Sequence, residues 1–220
     1  MRLESIKEAK HILLIVPHQD AIANATALYT YILTLHKKVS LQTLSPLEKR
    51  FSFLPWYDKC RMKANSNADL VIEVESNPYR VYDYFRERGI KINKKMATSL
   101  YTSLLLYSEN FKKLEGNGTT FALASELIVL EADYKEVVRN LQEREPLSAF
   151  RLRARLFAGL LLTNDAQDAK LYVSDRELKE SGATPDMLLP IMKEVLNIVN
   201  VKRVTLYKSD ENNKILKEID

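Results

Sequence analysis

Cysteine is nearly absent: the 220 residues hold one, Cys60, so no internal disulfide can form and a reducing cytoplasm is the expected compartment. Histidine is almost as scarce. His11, His18 and His36 are the full set, and with one cysteine they argue against a four-ligand structural zinc site. There are five glycines, none adjacent to another, so no glycine-rich loop is available to cradle a phosphate. No apolar run approaches the ~20 residues that span a bilayer, and membrane insertion is not expected. The first ten residues, MRLESIKEAK, mix charges with apolar residues and lack the order of a signal peptide. No excess of one charge sign points to a partner either. The net charge of +4 permits an anionic ligand without demanding one, and runs such as Asp175-Arg-Glu-Leu-Lys-Glu180 balance internally.

What is present suits a globular α/β protein. With 46% hydrophobic and 28% charged residues, the chain can bury one large core or two small ones. His11-Ile-Leu-Leu-Ile-Val-Pro17 is a short apolar run rich in β-branched residues and stopped by proline. It reads as a strand buried on both faces, central in a parallel sheet. Residues 21–35 lack Gly and Pro and read as the following helix. Val39–Leu44 and Leu70–Glu75 are further strands, stopped by Ser45-Pro46 and Asn77-Pro78. Strand, helix, strand at this spacing predicts a right-handed βαβ unit.

The middle reads as helices over 97–113, 119–131 and 134–143. A turn at Glu115–Gly118 separates the first two, and Thr119 or Thr120 is available as a cap. After Pro146, Phe150, Leu152, Leu156, Phe157, Leu160 and Leu161 stripe a helix over 148–162, read as core or contact surface rather than a cofactor site. A strand at 169–174, a helix opened by Thr184 and Pro185, and a hairpin pairing 201–207 with 214–219 complete the pattern. The expected division is an α/β domain over 1–146, a connecting helix over 147–164 and a small α/β domain over 165–220.

Four stretches, in order and spanning nearly the whole chain, resemble the DHH family of metal-dependent phosphoesterases, in the branch of nano-RNases and cyclic-dinucleotide phosphodiesterases. Ala97-Thr-Ser-Leu-Tyr-Thr-Ser-Leu-Leu-Leu-Tyr-Ser-Glu-Asn-Phe111 is similar to the family's A-T-x-L-Y-x-G-I-x-x-D-T-x-x-F, with Tyr107 where an Asp binds metal. Ile12 to Leu28 resembles an apolar strand followed by H-x-N-P-D-G-D-A-I-G-S-x-x-A-L. His18 stands for the His and Asp20-Ala-Ile22 for the last D-A-I, while Ala23 and Asn24 replace Gly-Ser. Several residues between His18 and Asp20, one a metal-binding Asp, are missing. Ala68-Asp-Leu-Val-Ile-Glu-Val-Glu-Ser76 resembles A-D-L-V-I-x-x-D-x-S, with Glu75 at the metal-bridging Asp. The Asp-His-His triplet should follow, yet residues 77–95 contain no His. Residues 178–207 are similar to the first half of the family's associated C-terminal domain. Neither the phosphate-gripping Arg strand nor the Gly-Gly-Gly-His loop follows before Asp220.

The resemblance therefore implies an α/β fold, a mostly parallel sheet flanked by helices with a truncated C-terminal domain, that has lost its chemistry. A phenol, with a pKa of ~10, offers a hard cation little near neutral pH. Two-metal hydrolysis needs several ligands converging on ions ~3.5–4 Å apart. Only His18, Asp20 and Glu75 remain, and each also has a plain structural reading: a polar strand end, a helix cap and a solvated charge.

Two functions stay open. The first is a catalytically inactive protein that acts by binding, with no cofactor and a protein partner. The second is an active phosphodiesterase on short oligonucleotides or cyclic dinucleotides, with manganese in a rearranged site. Tyr107 is expected close to His18 and Asp20, its ring filling the vacated volume. Phe51, Phe53, Trp56 and Tyr57, in a loop, form a candidate interaction surface or pack onto the sheet. Lys91, Lys94, Lys95, Arg151, Arg153 and Arg155 could attract a nucleotide. Cys60, among the cations of Lys59-Cys-Arg-Met-Lys63, has no evident base to make it a nucleophile.

Overall fold

The run 11–16 forms β1 (His11–Val16), and the helix that follows is α1 (Ile22–Thr34). Three further strands, β2 (Lys38–Thr43), β3 (Cys60–Arg61) and β4 (Leu70–Glu73), complete a sheet in which every pair is parallel. The order is β3-β2-β1-β4, so β1 is flanked on both sides. The computed structural model describes residues 3–63, 67–113, 118–143 and 145–220. They divide into two compact units, Met1–Arg144 and Glu145–Asp220. None of the described helices is long and apolar enough to cross a membrane.

Register explains which side of the sheet is buried. Val16 lies beside Thr43, and Leu14 beside Leu41 and Ile72; all five are at most 4% exposed. The opposite face aligns Leu13 with Ser40 and Val71, and Ile15 with Gln42 and Glu73. There Val71 is 51% exposed, so the sheet is not covered equally on its two sides. The alternation Lys38-Val-Ser-Leu-Gln-Thr43 carries this asymmetry in sequence.

After β4 the chain enters α2 (Pro78–Glu87), which the sequence reading passed over. Asn77 caps it, accepting from the Tyr79 N–H at 2.9 Å, and Pro78 takes the first turn, where its missing donor costs nothing. Next is α3 (Lys94–Tyr107), begun three residues before the expected start because Asn93 accepts from the Met96 N–H. It lies along α1, where Thr26 Oγ1 donates to Ser99 Oγ at 2.9 Å. Of the turn expected at 115–118, residues 115–117 lie outside the described residues. Gly118, in the left-handed region at φ 80°, holds the cap position of α4 (Thr119–Val129), so Thr119 and Thr120 fall inside the helix. The segment 134–143 divides into α5 (Tyr134–Val138) and a π-helical turn.

The second unit begins with α6 (Leu147–Ala158), which ends at Gly159, before a strand β5 (Leu161–Thr163) that the sequence reading took as helix. Then come β6 (Asp168–Val173), α7 (Asp175–Ser181), α8 (Leu188–Leu196), β7 (Arg203–Lys208) and β8 (Lys214–Ile219). The sheet order is β5-β6-β7-β8, with only β6 and β7 parallel. The helix expected to connect two domains instead packs Leu152 and Leu156 into this unit's own core. Thr184 precedes a short 3-10 turn but makes no side-chain cap. The unforeseen α7 has a capping box between Ser174 and Glu177, a signature visible in Ser174-Asp-Arg-Glu177.

Candidate functional site

Where β1 ends, Pro17 stops the strand and the chain turns through a 3-10 turn, Gln19–Ala21, into α1. β4 ends beside it and leads through residues 74–77 into α2. Between these exits lies an open cleft of about 650 Å³, lined by Pro17, His18, Ala21 and the run 71–77. The chain leaves β1 towards β2 and β3 on one side, then returns to β4 on the other. Ligands of open α/β sheets bind beyond the strand ends at such a reversal.

Three polar side chains hold the β4 exit. Asn24 of α1, fully buried, donates through Nδ2 to the carbonyls of Glu75 (2.8 Å) and Asn77 (3.0 Å). Ser103 of α3 donates to the Ser76 carbonyl at 3.1 Å. One turn further on, the Asn77 amide donates to the Tyr107 hydroxyl at 3.4 Å, and the Tyr79 ring meets the Tyr107 ring edge-on. Ser99, Ser103 and Tyr107, spaced by four, thus make one polar row along α3. Sequence reasoning singled out Tyr107 but missed Asn24, Asn77 and Ser103. An Asn inside the apolar run of α1 was the available signal, because a buried amide must find partners.

Of the remnant ligands, His18 and Glu75 line the cleft and are exposed. Glu75 lies 3.7 Å from the Arg80 guanidinium. Asp20 is exposed on the 3-10 turn, outside the lining, and caps neither that turn nor α1. Among the described residues no three His, Cys, Asp or Glu side chains are grouped to hold a metal ion. The donor set therefore does not fit a two-manganese centre, which needs several oxygen and nitrogen ligands on each ion. α3 packs against the Gln19–Ala21 turn, and the Tyr107 hydroxyl accepts from the Asn77 amide.

The aromatic loop is tied down from within. Phe51 is fully buried, so its ring belongs to the core and not to a surface; Phe53, Trp56 and Tyr57 pack partly buried against that core. Trp56 stacks on Tyr29 at 5.4 Å, donates Nε1–H to Thr30 Oγ1 at 2.9 Å, and carries the Lys95 ammonium 4.8 Å above its ring. The Tyr57 hydroxyl reaches the Leu47 and Glu48 carbonyls. Burial pushes the Cys60 thiol up to about 11, outweighing the Arg61 charge and backbone amide that lower it, so the neighbouring cations do not activate it. Lys91 and Lys94 are exposed. In the second unit Arg153 pairs with Glu145 and Glu194, Arg155 with Glu180, and Arg151 is exposed.

No family model and no curated protein matches the chain. Among solved structures it is similar to the crystal structure of an exopolyphosphatase-related protein from Bacteroides fragilis, with a TM-score of 0.75 at 14% identity. The match covers 96% of this chain and 79% of that one. The chain thus has a mixed α/β fold, a parallel sheet flanked by helices with a second small sheet, shared with that exopolyphosphatase-related protein.

Proposed function

We propose that the chain is a phosphoesterase-like protein of the DHH type that acts by binding a protein partner and does not hydrolyse phosphodiesters. One observation carries this reading. Of the three remnant ligands, the cleft at the β1 and β4 exits has His18 and Glu75 on its lining but not Asp20, and the Tyr107 position is engaged with Asn77. Hydrolysis of this type draws its rate from a metal-activated hydroxide and from charge stabilisation of the transition state, both of which need a convergent ligand set. The fold shared with an exopolyphosphatase-related protein supports the ancestry, at a coarser level than the branch.

The second reading, a rearranged phosphodiesterase, is favoured by one fact: His18 and Glu75 both line this cleft. The two separate in one assay. The protein is incubated with manganese and either short oligoribonucleotides or cyclic dinucleotides, and its metal content is measured. Turnover at background and no stoichiometric metal are expected. Manganese-dependent turnover that disappears in Glu75→Gln would establish the second reading instead.

A further inference from the structure

The modest net charge hides a segregation. Eight of the chain's 33 Lys and Arg, but only two of its 29 Asp and Glu, stand in the segments 47–63 and 90–96, so the rest of the chain is slightly acidic. Folding joins the two segments. The loop after β2 closes on itself where the Tyr57 hydroxyl donates to the Leu47 carbonyl at 3.2 Å and the Glu48 carbonyl at 3.3 Å. The Lys59 N–H donates to the Trp56 carbonyl at 2.9 Å, and the Lys95 ammonium of α3 lies 4.8 Å from the Trp56 ring centroid. Lys49, Lys59 and Lys95 thereby flank Trp56 and Tyr57. β3 then sets Arg61 beside Gln42 at the sheet edge, and Met62 and Lys63 follow it.

This charge is not neutralised from within. Lys49, Lys59, Arg61, Lys63, Lys94 and Lys95 are exposed and make no ion pair among the described residues. Arg50 meets Glu48, which leaves Asp58 as the one opposing carboxylate on the loop. Elsewhere cations such as Arg139, Arg155, Arg203 and Lys208 do meet carboxylates. Crowded like charges oppose folding and raise the local potential. An anionic partner relieves the first and is steered by the second.

We propose that this surface, the loop 47–63 with the start of α3, docks a segment of a protein partner that is rich in Asp and Glu with apolar residues between them. The inference rests on the reading of the chain as a binding protein, and it supplies the surface and the partner chemistry. Charge complementarity fixes the sign of the partner, and two features fix its class. Tyr29 stacks on the Trp56 ring and Lys95 lies over it, so that ring is engaged and is not an open stacking platform for a base. Leu44 and Met62 follow the neighbouring strands β2 and β3 and are 58% and 52% exposed. Apolar side chains gain nothing from a phosphate backbone, whereas they bury area against apolar residues of a peptide. Two of them are too few for a bilayer, where binding scales with buried apolar area.

The test uses the full chain and a labelled peptide, Glu-Leu-Glu-Asp-Leu-Glu-Glu-Leu-Asp, followed by fluorescence anisotropy at low and high salt. Saturable binding that weakens with salt is expected. Lys59→Glu with Lys63→Glu should weaken it about tenfold, and Lys59→Arg with Lys63→Arg should preserve it. Lys135→Glu with Lys217→Glu changes the net charge equally outside the surface and should also preserve it. Serine in place of the peptide leucines should weaken binding about tenfold. No binding, equal losses in the two charge-reversed pairs, or indifference to the leucines would each overturn the proposal. So would tighter binding of single-stranded RNA or of phosphatidylglycerol vesicles that Lys59→Glu with Lys63→Glu abolishes, since the surface would then serve another class of partner. Phosphodiester hydrolysis would overturn the proposed function while leaving the peptide result standing. An inactive protein that fails to bind the peptide overturns this inference alone.

Discussion

The side chain of Asn24 holds the main chain of Glu75: its amide donates to the Glu75 carbonyl at 2.8 Å from a fully buried position on α1. The same amide also binds the Asn77 carbonyl, so one side chain fixes both ends of the β4 exit. Replacing it with an apolar residue of similar size strands two carbonyls. Asn24→Leu should lower stability by about 1–3 kcal/mol in denaturant unfolding. It should also speed hydrogen exchange in residues 75–77. Unchanged stability would mean that the exit is held by other contacts.

Tyr107 invites reversion. Tyr107→Phe keeps the ring and removes the long hydrogen bond from Asn77, and should cost about 1 kcal/mol. Tyr107→Asp also removes the edge-on contact with Tyr79, and should destabilise the protein more without creating manganese-dependent hydrolysis. Hydrolysis by Tyr107→Asp would show that this one ring was blocking an otherwise complete site.

Asp69 accepts from the N–H of Lys10 at 2.8 Å and of His11 at 2.7 Å, pinning the start of β1 to the approach to β4. The Lys10 and His11 amides hold its carboxyl below the usual carboxylate range. A depressed folded-state value contributes stability above the unfolded-state pKa of ~3.9, and the contribution is lost as pH falls through the folded-state value. Asp69→Asn should therefore melt at a lower temperature than the parent protein near neutral pH. The gap should close at acid pH. A gap independent of pH would refute the assignment.

Cys60 should be slow to alkylate. With its thiol pushed up to about 11, the thiolate fraction near neutral pH falls about 100-fold below that of an ordinary thiol at 9.0. Iodoacetamide labelling should be slow in the native protein and fast in denaturant. Native labelling at the rate of a free thiol would contradict this.

Much of the first unit was legible because its signals are local. The apolar run ended by Pro17 and the Asn77-Pro78 stop are enough to place β1 and the end of β4. The Asp210–Asn213 turn likewise marks the β7–β8 hairpin. The site was legible only as a set of substitutions. That Tyr107 meets Asn77, and that Asn24 spans the β4 exit, depends on packing between α1, α3 and β4, which no single stretch encodes. α2 and α7 were missed although each carries a cap in sequence, Asn77-Pro78 and Ser174-Asp-Arg-Glu177, because their apolar periodicity is short. For Phe51 the sequence leaves a surface role and packing onto the sheet both open, because an aromatic in a loop has no periodic pattern to show which way it faces; the structure buries it.

Trp56 is the single tryptophan of the chain, and it is clasped by Tyr29, Thr30 and Lys95 of the first unit. The second unit holds only two tyrosines, Tyr172 and Tyr207, stacked at 5.3 Å on neighbouring strands. The other tyrosines of the chain lie in the first unit, so the tyrosine signal is shared between the two. Indole emission is not shared: it follows the unfolding of the first unit alone, in the intact chain and without a label.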